Sequence, residues 1–308
     1  MSRDNQRMPR ITPLPEEFTC GPFAYEYAVA LGVGPGRLRG RDLSRPFRGV
    51  CSAGPVTSGA VALAIAYATR MPSDHCFSHL TAAALHGMRL PEHAQRDRRI
   101  HVSAPSGSRS PRPRGVVGHE LDSTPVTLAS GLRVTSPSDT WCQLASTLSL
   151  DDLIVMGDGL VRRLAPLASM QRLADAVAGY AGRRGVRRLR VAFEQVRPRT
   201  DSARETMVRL LIVRAGLPEP KINVTILNRY GAKIATGDMG YPDYRVLLEY
   251  DGGDHRENEE QYNWDIDRLD EIMEEHWRVL RINKSHLRAP VQLLARIRTA
   301  LVQAGWRP

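Results

Sequence analysis

The feature that most constrains this chain is an apolar run that ends in acidic residues. Residues 246–252 read Val-Leu-Leu-Glu-Tyr-Asp-Gly. A short apolar run bounded by a turn predicts a buried β-strand. Because side chains alternate along a strand, Glu249 and Asp251 are expected on the same face. Burying two carboxylates without a cation or a partner costs several kcal/mol. The sequence therefore predicts a compensating positive charge at this strand end.

Other acids lie on neighbouring predicted elements. Asp238 ends the predicted strand Ala232–Met239, and Glu205 lies in the first turn of a predicted helix, Ser202–Ala215, capped by Ser202. Oxygen ligands of this kind suit Mg²⁺ or Mn²⁺. We therefore expect Asp238, Glu249 and Asp251 to be metal ligands. The alternative is that these acids cap helices or pair with arginines.

A metal held by carboxylates can activate water for attack on a phosphodiester. Glu205 would add a further carboxylate, and His255, in the loop after the strand, would protonate the leaving oxygen or hold the water. The predicted catalytic set is therefore Asp238, Glu249, Asp251, His255 and Glu205.

Residues 201–288 also carry a series of spaced motifs. They are a helix with Glu205, a strand ending in Asp238, Glu249-x-Asp251-Gly252-x-x-His255, a helix with Asp265 and Arg268, and Trp277-Arg278-Val279-Leu280-Arg281. This series resembles the very-short-patch-repair (Vsr)-like endonuclease domains of the PD-(D/E)xK superfamily. The resemblance implies a mixed sheet flanked by helices, metal binding by Asp238 and Glu249, and DNA as substrate. Asp251 replaces the superfamily's usual Lys, and Vsr-type enzymes use a histidine instead, for which His255 is the candidate.

The charge of the chain indicates a polyanionic partner. The net charge is +10, and nearly all the basic residues are arginines, which suit bidentate contacts with phosphate. The alternative is that this charge only maintains solubility. One dense cluster lies in the predicted helix within 182–200, interpreted either as a solvated helix joining two domains or as a segment that tracks DNA. Its candidate DNA-binding residues are Arg183, Arg184, Arg187 and Arg188.

The residues from 18 to 55 predict a small DNA-binding unit. A helix up to Leu31, a break at residues 32–36, a second helix over Arg37–Leu43 and a strand over Phe47–Cys51 form the outline of a winged helix-turn-helix. In such a fold the second helix and the wing face DNA. The candidate contacts are Arg37, Arg39, Arg41, Arg45 and Arg48.

Short motifs in the first two thirds of the chain carry a second resemblance. They are Arg48-Gly49-Val50, residues 78–87 (Ser-His-Leu-Thr-Ala-Ala-Ala-Leu-His-Gly) and residues 135–140 (Thr-Ser-Pro-Ser-Asp-Thr). They are similar to the AbiE-type antitoxin family, which implies promoter binding and a cognate toxin protein as partner. The spacing of apolar residues predicts one helix over Cys76–Gly87, and residues 135–139 predict a helix start with Ser136 as N-cap and Pro137 at the first helical position. We expect His79 and His86, on the first of these helices, to have packing or capping roles.

These elements predict an α/β chain, α+β overall. The expected divisions are a flexible tail (1–17), a winged-helix-like domain (18–55), an antitoxin-like α/β middle domain (56–181), an Arg-rich linker helix (182–200) and a restriction-endonuclease-like domain (201–308). The four cysteines show no zinc-binding spacing, and no apolar run reaches the length of a membrane span. We therefore expect a cytoplasmic protein with reduced thiols and no membrane partner; a homodimer is left open.

Two functions are consistent with these patterns. The first is a metal-dependent DNA endonuclease brought to DNA by the winged helix and the arginines. The second is an AbiE-type antitoxin or transcriptional regulator in which the nuclease fold is catalytically inactive.

Overall fold

The computed structural model describes residues 12–57, 59–121, 123–251 and 268–307. The chain forms two compact units that divide between Ser146 and Thr147. This division lies inside the region 56–181 that the sequence assigned to one middle domain. Helices and three sheets with mixed strand directions alternate along the chain, which confirms the expected α+β class.

The first unit begins with a strand-helix-helix-strand arrangement. Its elements are β1 (Pro22–Ala24), α1 (Tyr25–Ala30), α2 (Pro35–Leu38) and β2 (Val50–Ser52), after a 3-10 turn at Glu16–Phe18. β1 and β2 are antiparallel, with Phe23 opposite Cys51. The second helix is shorter than the predicted Arg37–Leu43, because Pro35 starts it early and the chain turns after Leu38. Phe18, Phe23 and Leu38 belong to a separate small core.

The rest of the first unit surrounds a five-stranded sheet of order β5-β4-β3-β7-β6. The strands are β3 (Cys76–Phe77), β4 (Ile100–Pro105), β5 (Val116–Leu121), β6 (Val126–Thr127) and β7 (Arg133–Val134). The helices are α3 (Ala60–Ala68), α4 (His79–Leu85), α5 (Glu92–Gln95) and α6 (Pro137–Gln143), and a 3-10 turn covers Leu144–Ser146.

Two local predictions in this unit have different outcomes. Ser136 caps α6, as predicted, because its side chain accepts the backbone N–H of Asp139 at 3.1 Å. The prediction of one helix over Cys76–Gly87 is wrong at its start. Cys76 and Phe77 are fully buried in the central strand β3, between β4 and β7, so α4 begins only at His79.

The second unit combines a helical layer with a four-stranded sheet of order β11-β10-β9-β8. The first helices are α7 (Leu150–Leu160), α8 (Met170–Gly179), α9 (Val186–Gln195) and α10 (Ala203–Arg214). The strands are β8 (Lys221–Leu227), β9 (Lys233–Tyr241), β10 (Val246–Tyr250) and β11 (Arg278–Ile282), with a 3-10 turn at Pro242–Tyr244. The helical residues 268–274 form α11, followed by α12 (Lys284–Arg288) and α13 (Pro290–Gln303).

The apolar run at 246–248 lies at the centre of this sheet. β10 is antiparallel to β9 and parallel to β11, so the sheet is mixed. Leu248 packs in a core with residues of α10 and α13, whereas Leu247 packs in a core with Ile272 of α11. Alternating side chains are therefore buried on both faces, which explains why the run is continuously apolar.

The arginine-rich segment 182–200 lies within the second unit. α9 packs against α7 and α8, and it buries Leu189 and Ala192. The predicted linker helix is therefore part of this unit's helical layer rather than a connection between the two units.

The helix α10 buries polar residues that the sequence pattern did not predict. The spacing of Met207, Leu210, Leu211 and Val213 predicts an apolar stripe along this helix. Met207 and Val213 are nevertheless exposed. Glu205, Thr206 and Arg209 are buried instead. The buried side of α10 is partly polar because it faces charged and polar partners on neighbouring elements.

The main partner of α10 is Asp158 of α7, which is fully buried. Its Oδ2 accepts hydrogen bonds from Arg209 Nη2 at 3.0 Å and from Thr206 Oγ1 at 2.8 Å. Its Oδ1 accepts the backbone N–H of Arg197 at 2.7 Å. Arg209 also donates to the carbonyl oxygen of Gln195 at 2.9 Å. This network joins α7, the end of α9 and α10.

Among the helices that the structure describes, none is both long and apolar enough to cross a membrane.

We expect Asp158→Ala to lower the free energy of unfolding by about 3 kcal/mol, because it leaves the Arg209 guanidinium buried without its main counter-charge. Asp151→Ala is the matched control: it removes an aspartate of the same helix whose ion pair with Arg214 of α10 is exposed. That control should cost less than about 1 kcal/mol. Urea unfolding followed by circular dichroism measures both changes, and equal losses for the two variants would contradict the prediction.

Candidate functional site

The second unit gathers carboxylates from one helix and two neighbouring strands. Glu205 lies in the first turn of α10, Asp238 in β9 and Glu249 in β10. Asp238 directly precedes Met239, and Glu249 directly follows Leu248, where Met239 and Leu248 are paired across the strands. The structure therefore makes Asp238 and Glu249 neighbours on adjacent strands, as predicted. Asp238 does not end its strand, however, because β9 continues to Tyr241.

Backbone N–H groups orient two of these acids. Glu205 Oε2 accepts the N–H of Asp201 at 3.0 Å, and the Ser202 side chain caps α10 by accepting the N–H of Glu205 at 3.1 Å. Asp238 Oδ2 accepts the N–H of Tyr250 at 2.8 Å. These hydrogen bonds to backbone N–H groups limit the freedom of the Glu205 and Asp238 carboxylates to rotate away.

Two arginines lie against the group. Arg268 Nη2 is 3.2 Å from Glu249 Oε1 and also donates to the carbonyl oxygen of Thr236 at 2.8 Å. Arg163 Nη2 is 2.6 Å from an oxygen of Asp201. Among the described residues, Glu205 and Asp238 form no ion pair with either guanidinium. Arg163 attracts both acids over a longer range, and Arg268 attracts Asp238 in the same way. The acids also lie close enough to repel one another.

The electrostatics of the group follow from burial and from this repulsion. Burial, with the nearby negative charge of Asp238, raises the pKa of Glu205 to about 7, despite hydrogen bonds that oppose the shift. Burial and Asp238 likewise raise the pKa of Glu249 to about 7, although Arg268 acts in the opposite direction. The pKa of Asp238 is raised by burial and by Asp201, against the N–H of Tyr250 and Arg268. A cation bound here would reverse these shifts.

A glycine in β9 lets the side chains of Leu247 and Glu249 pack closely against this strand. A Cβ atom at Gly237 would lie 3.0 Å from Glu249 Oε1 and would collide with the side chain of Leu247. Glycine at this strand position therefore reflects close packing rather than a turn, since strand glycines commonly mark such close approaches.

Asp251 does not join this group. Its Oδ2 pairs with Arg281 Nη2 at 2.9 Å, and its N–H donates to the carbonyl oxygen of Ile282 at 2.7 Å. The sequence argument placed Asp251 on the face of Glu249 because side chains alternate along a strand. That alternation ends with β10 at Tyr250, so it does not extend to Asp251. His255 lies outside the described residues, as does Asp265.

The arginines proposed to contact DNA divide into two classes. Arg37 binds both carboxylate oxygens of Asp42, at 3.0 and 2.6 Å, and Arg45 donates to the carbonyl oxygens of three residues of the same loop. Arg188 donates to the carbonyl oxygen of Leu148, and Arg183 lies over the Tyr180 ring. These four side chains support local structure. The second class is exposed and forms no side-chain hydrogen bond or ion pair among the described residues: Arg39, Arg41, Arg48, Arg184 and Arg187.

Sequence reasoning missed two sets of functional candidates. Arg163 lies in an irregular loop after α7, and no motif marks it. The other set is a group of three histidines in the first unit, His79, His101 and His119. Within the described ranges, this is the group of three or more His, Cys, Asp or Glu side chains whose ligand atoms all lie within 4.8 Å of one another. Its members are 22 and 18 residues apart along the chain, so spacing alone carries no signal.

The chain is similar in sequence to proteins that are described as uncharacterized. No family model matches the chain. It is 27% identical over 225 residues to the uncharacterized proteins MT2308 and Rv2248 of two Mycobacterium tuberculosis strains, CDC 1551 / Oshkosh and H37Rv. Each alignment covers 73% of this chain and 80% of the relative. The similarity therefore extends over most of both chains.

The raised pKa of Glu205 predicts a pH-dependent stability. The folded protein retains a proton at pH values where the unfolded carboxyl group, with its ordinary pKa of 4.5, has lost it. The protonated Glu205 therefore contributes to the free energy of unfolding below about pH 4.5, and this contribution is lost as the pH rises to about 7. In EDTA, Glu205→Gln should therefore gain on the order of 1–3 kcal/mol relative to wild type between about pH 4.5 and pH 8.

Urea unfolding across this pH range measures the effect, with hydrogen exchange of the α10 amides as a local readout. Glu194→Gln, at an exposed acid of α9, controls for the loss of one negative charge. Parallel pH profiles for wild type and Glu205→Gln would contradict the assigned environment of Glu205.

Proposed function

We propose that this chain is a DNA-binding protein whose second unit hydrolyses DNA phosphodiester bonds with Mg²⁺ or Mn²⁺. The observation that carries the proposal is the neighbouring pair Asp238 and Glu249 on paired strands. Glu205 lies close enough for the negative charge of Asp238 to contribute to its raised pKa. The motif series that resembles Vsr-like nucleases runs through the same residues.

The residues present fit a hard divalent cation. Mg²⁺ binds through one or two protein carboxylates and retains waters and substrate oxygens, so Asp238 and Glu249 are sufficient as direct ligands. Gly237 lets the Glu249 carboxylate lie close to β9, and the acids outnumber their local arginine partners. A bound cation would stabilise carboxylates that otherwise remain partly protonated near neutral pH.

Each side chain then has a defined role. Asp238 and Glu249 would hold the ion, and Arg268 fixes the position of the Glu249 carboxylate. Glu205, with a pKa of about 7, is suited to take a proton from the attacking water, because a general base works best near the ambient pH. When bound, the metal supplies charge stabilisation for the phosphate and lowers the pKa of a coordinated water.

The positive charge of the chain supports DNA as the substrate. The exposed arginines Arg39, Arg41 and Arg48 follow the second helix and precede β2 in the first unit, and Arg184 and Arg187 lie at the start of α9. Arginine side chains that are not committed to internal hydrogen bonds are available for phosphate contacts.

A second candidate function is a DNA-binding regulator of the AbiE antitoxin type with an inactive nuclease fold. One observation favours it: Asp251 occupies the position of the superfamily's usual Lys and is paired with Arg281. On this candidate, a cognate toxin protein or a second copy of the chain would be the partner, and the acids would have a structural role.

We expect Asp238→Asn to reduce the rate of plasmid cleavage more than about 100-fold, because loss of a direct ligand should exceed the effect of losing an outer hydrogen-bond partner. The assay uses supercoiled plasmid and single-stranded DNA with Mg²⁺, Mn²⁺ or EDTA. Asp243→Asn is the matched control, at an exposed aspartate of the same unit. Metal-dependent cleavage by wild type and by this control, but not by Asp238→Asn, is the expected result. Retained DNA binding without cleavage by any of the proteins would favour the regulator.

The DNA-binding part of the proposal predicts a change in salt dependence. We expect the combined variant Arg39→Ala, Arg41→Ala and Arg48→Ala to reduce the slope of log K against log salt by about 2 to 3, since each phosphate contact contributes about 0.9. Fluorescence anisotropy with a labelled duplex measures this slope. Arg162→Ala, Arg229→Ala and Arg307→Ala together provide a control with the same loss of charge at positions outside the predicted contacts. An equal reduction in both variants would assign the effect to net charge alone.

A further inference from the structure

Three histidines of the first unit come together from three different elements. His79 is the first residue of α4, His101 lies in β4 and His119 lies in β5. His101 Nδ1 is 2.9 Å from His119 Nε2. The ring centroids of His79 and His119 are 3.6 Å apart, and those of His101 and His119 are 5.1 Å apart. One ring nitrogen of each lies within 4.8 Å of the others.

The sheet register explains this convergence. β4 and β5 are parallel, and the register pairs His101 with Val117 and Ser103 with His119. Because alternate residues share a face, the side chains of His101 and His119 lie on the same face of the sheet. The backbone N–H of Ser78, the residue before α4, donates to the carbonyl oxygen of His101 at 3.0 Å. This bond holds the start of α4, and therefore His79, beside the two strand histidines.

The environment keeps these imidazoles neutral. Burial, reinforced by the neighbouring histidines, lowers the pKa of His79 to about 3, and burial with His119 lowers the pKa of His101 to about 4. Burial also lowers the pKa of His119. A neutral imidazole has the lone pair that a metal ion requires, so these histidines do not need to lose a proton to bind one near neutral pH.

Polar groups around His79 orient its ring. Ser78 Oγ is 3.1 Å from His79 Nδ1, and Ser103 Oγ donates to Ser78 Oγ at 2.8 Å. The backbone N–H of His79 donates to Gln143 Oε1 at 3.1 Å. Metal-binding histidines commonly use their second ring nitrogen in such a hydrogen bond, which directs the first nitrogen toward the metal.

A packing role does not account for the backbone conformation of His79. Its φ of 49° is a left-handed conformation that is unfavourable for a residue with a Cβ atom. Unusual backbone conformations of this kind concentrate at binding sites.

We propose that His79, His101 and His119 bind a divalent transition-metal ion, Zn²⁺, through one ring nitrogen each, with water as the fourth ligand. Nitrogen ligands select such ions over Mg²⁺, so this site differs chemically from the carboxylate group of the second unit. Two ligands of a tetrahedral zinc site are about 3.3 Å apart, given Zn–N bonds of about 2.0–2.1 Å. The 2.9 Å contact between His101 and His119 therefore needs only a small widening.

The test uses untagged full-length protein, stripped with a chelator and kept in excess Mg²⁺ to occupy oxygen-ligand sites. Titration with Zn²⁺ should show one equivalent bound with a Kd of about 1 µM or tighter. Co²⁺ should produce the intense visible absorption of a tetrahedral site. His119→Gln should weaken Zn²⁺ binding more than about 100-fold, and Ser78→Ala about 10-fold. His93→Gln, at an exposed histidine of the same unit, should bind like wild type.

Two outcomes would overturn the proposal: wild type that binds no Zn²⁺ under these conditions, or His119→Gln that binds as tightly as wild type. If His119→Gln does not fold, the imidazole NMR signals of wild type decide instead. Zn²⁺ should shift the signals of exactly three histidines, and shifts of none or of others contradict the assignment. Plasmid cleavage plays no part in this experiment, so its result is independent of the proposed nuclease function.

Discussion

The buried ion pair between Asp158 and Arg209 is the interaction on which the second unit most depends. Asp158 is fully buried, and Arg209 is 2% exposed, so neither charge is compensated by water. Such a pair tolerates little movement, because separating the partners leaves the Asp158 carboxylate without an opposite charge in a poorly polarisable interior. The network therefore sets the position of α10 relative to α7 and to the end of α9.

The position of α10 in turn decides where the candidate site forms. Glu205 precedes Arg209 by one helical turn and lies on the same side of α10. The interaction that anchors Arg209 thereby holds Glu205 beside the acids of β9 and β10. Burial and mutual repulsion raise the pKa of Glu205 and Glu249 to about 7. The ionised forms of these acids are therefore unfavourable in the folded protein at neutral pH, and a bound cation would stabilise them.

The two units present different ligand chemistry. The second unit offers carboxylate oxygens from α10, β9 and β10, whereas the first offers imidazole nitrogens from α4, β4 and β5. In both, these side chains come from adjacent strands and from the first turn of a helix. This shared geometry follows from strand pairing, which brings residues distant in sequence within a few ångströms, and from a helix start that adds a third direction.

The sequence by itself determined features that depend on local patterns: the α+β class, the cap at Ser136, and the neighbouring acids Asp238 and Glu249 on adjacent strands. Only the tertiary structure decided what depends on partners far along the chain. It paired Asp251 with Arg281, buried the polar side of α10 against Asp158, and brought three histidines together. Periodicity reports which side of an element is apolar, but it carries no information about which distant charge or ring will lie opposite a given side chain.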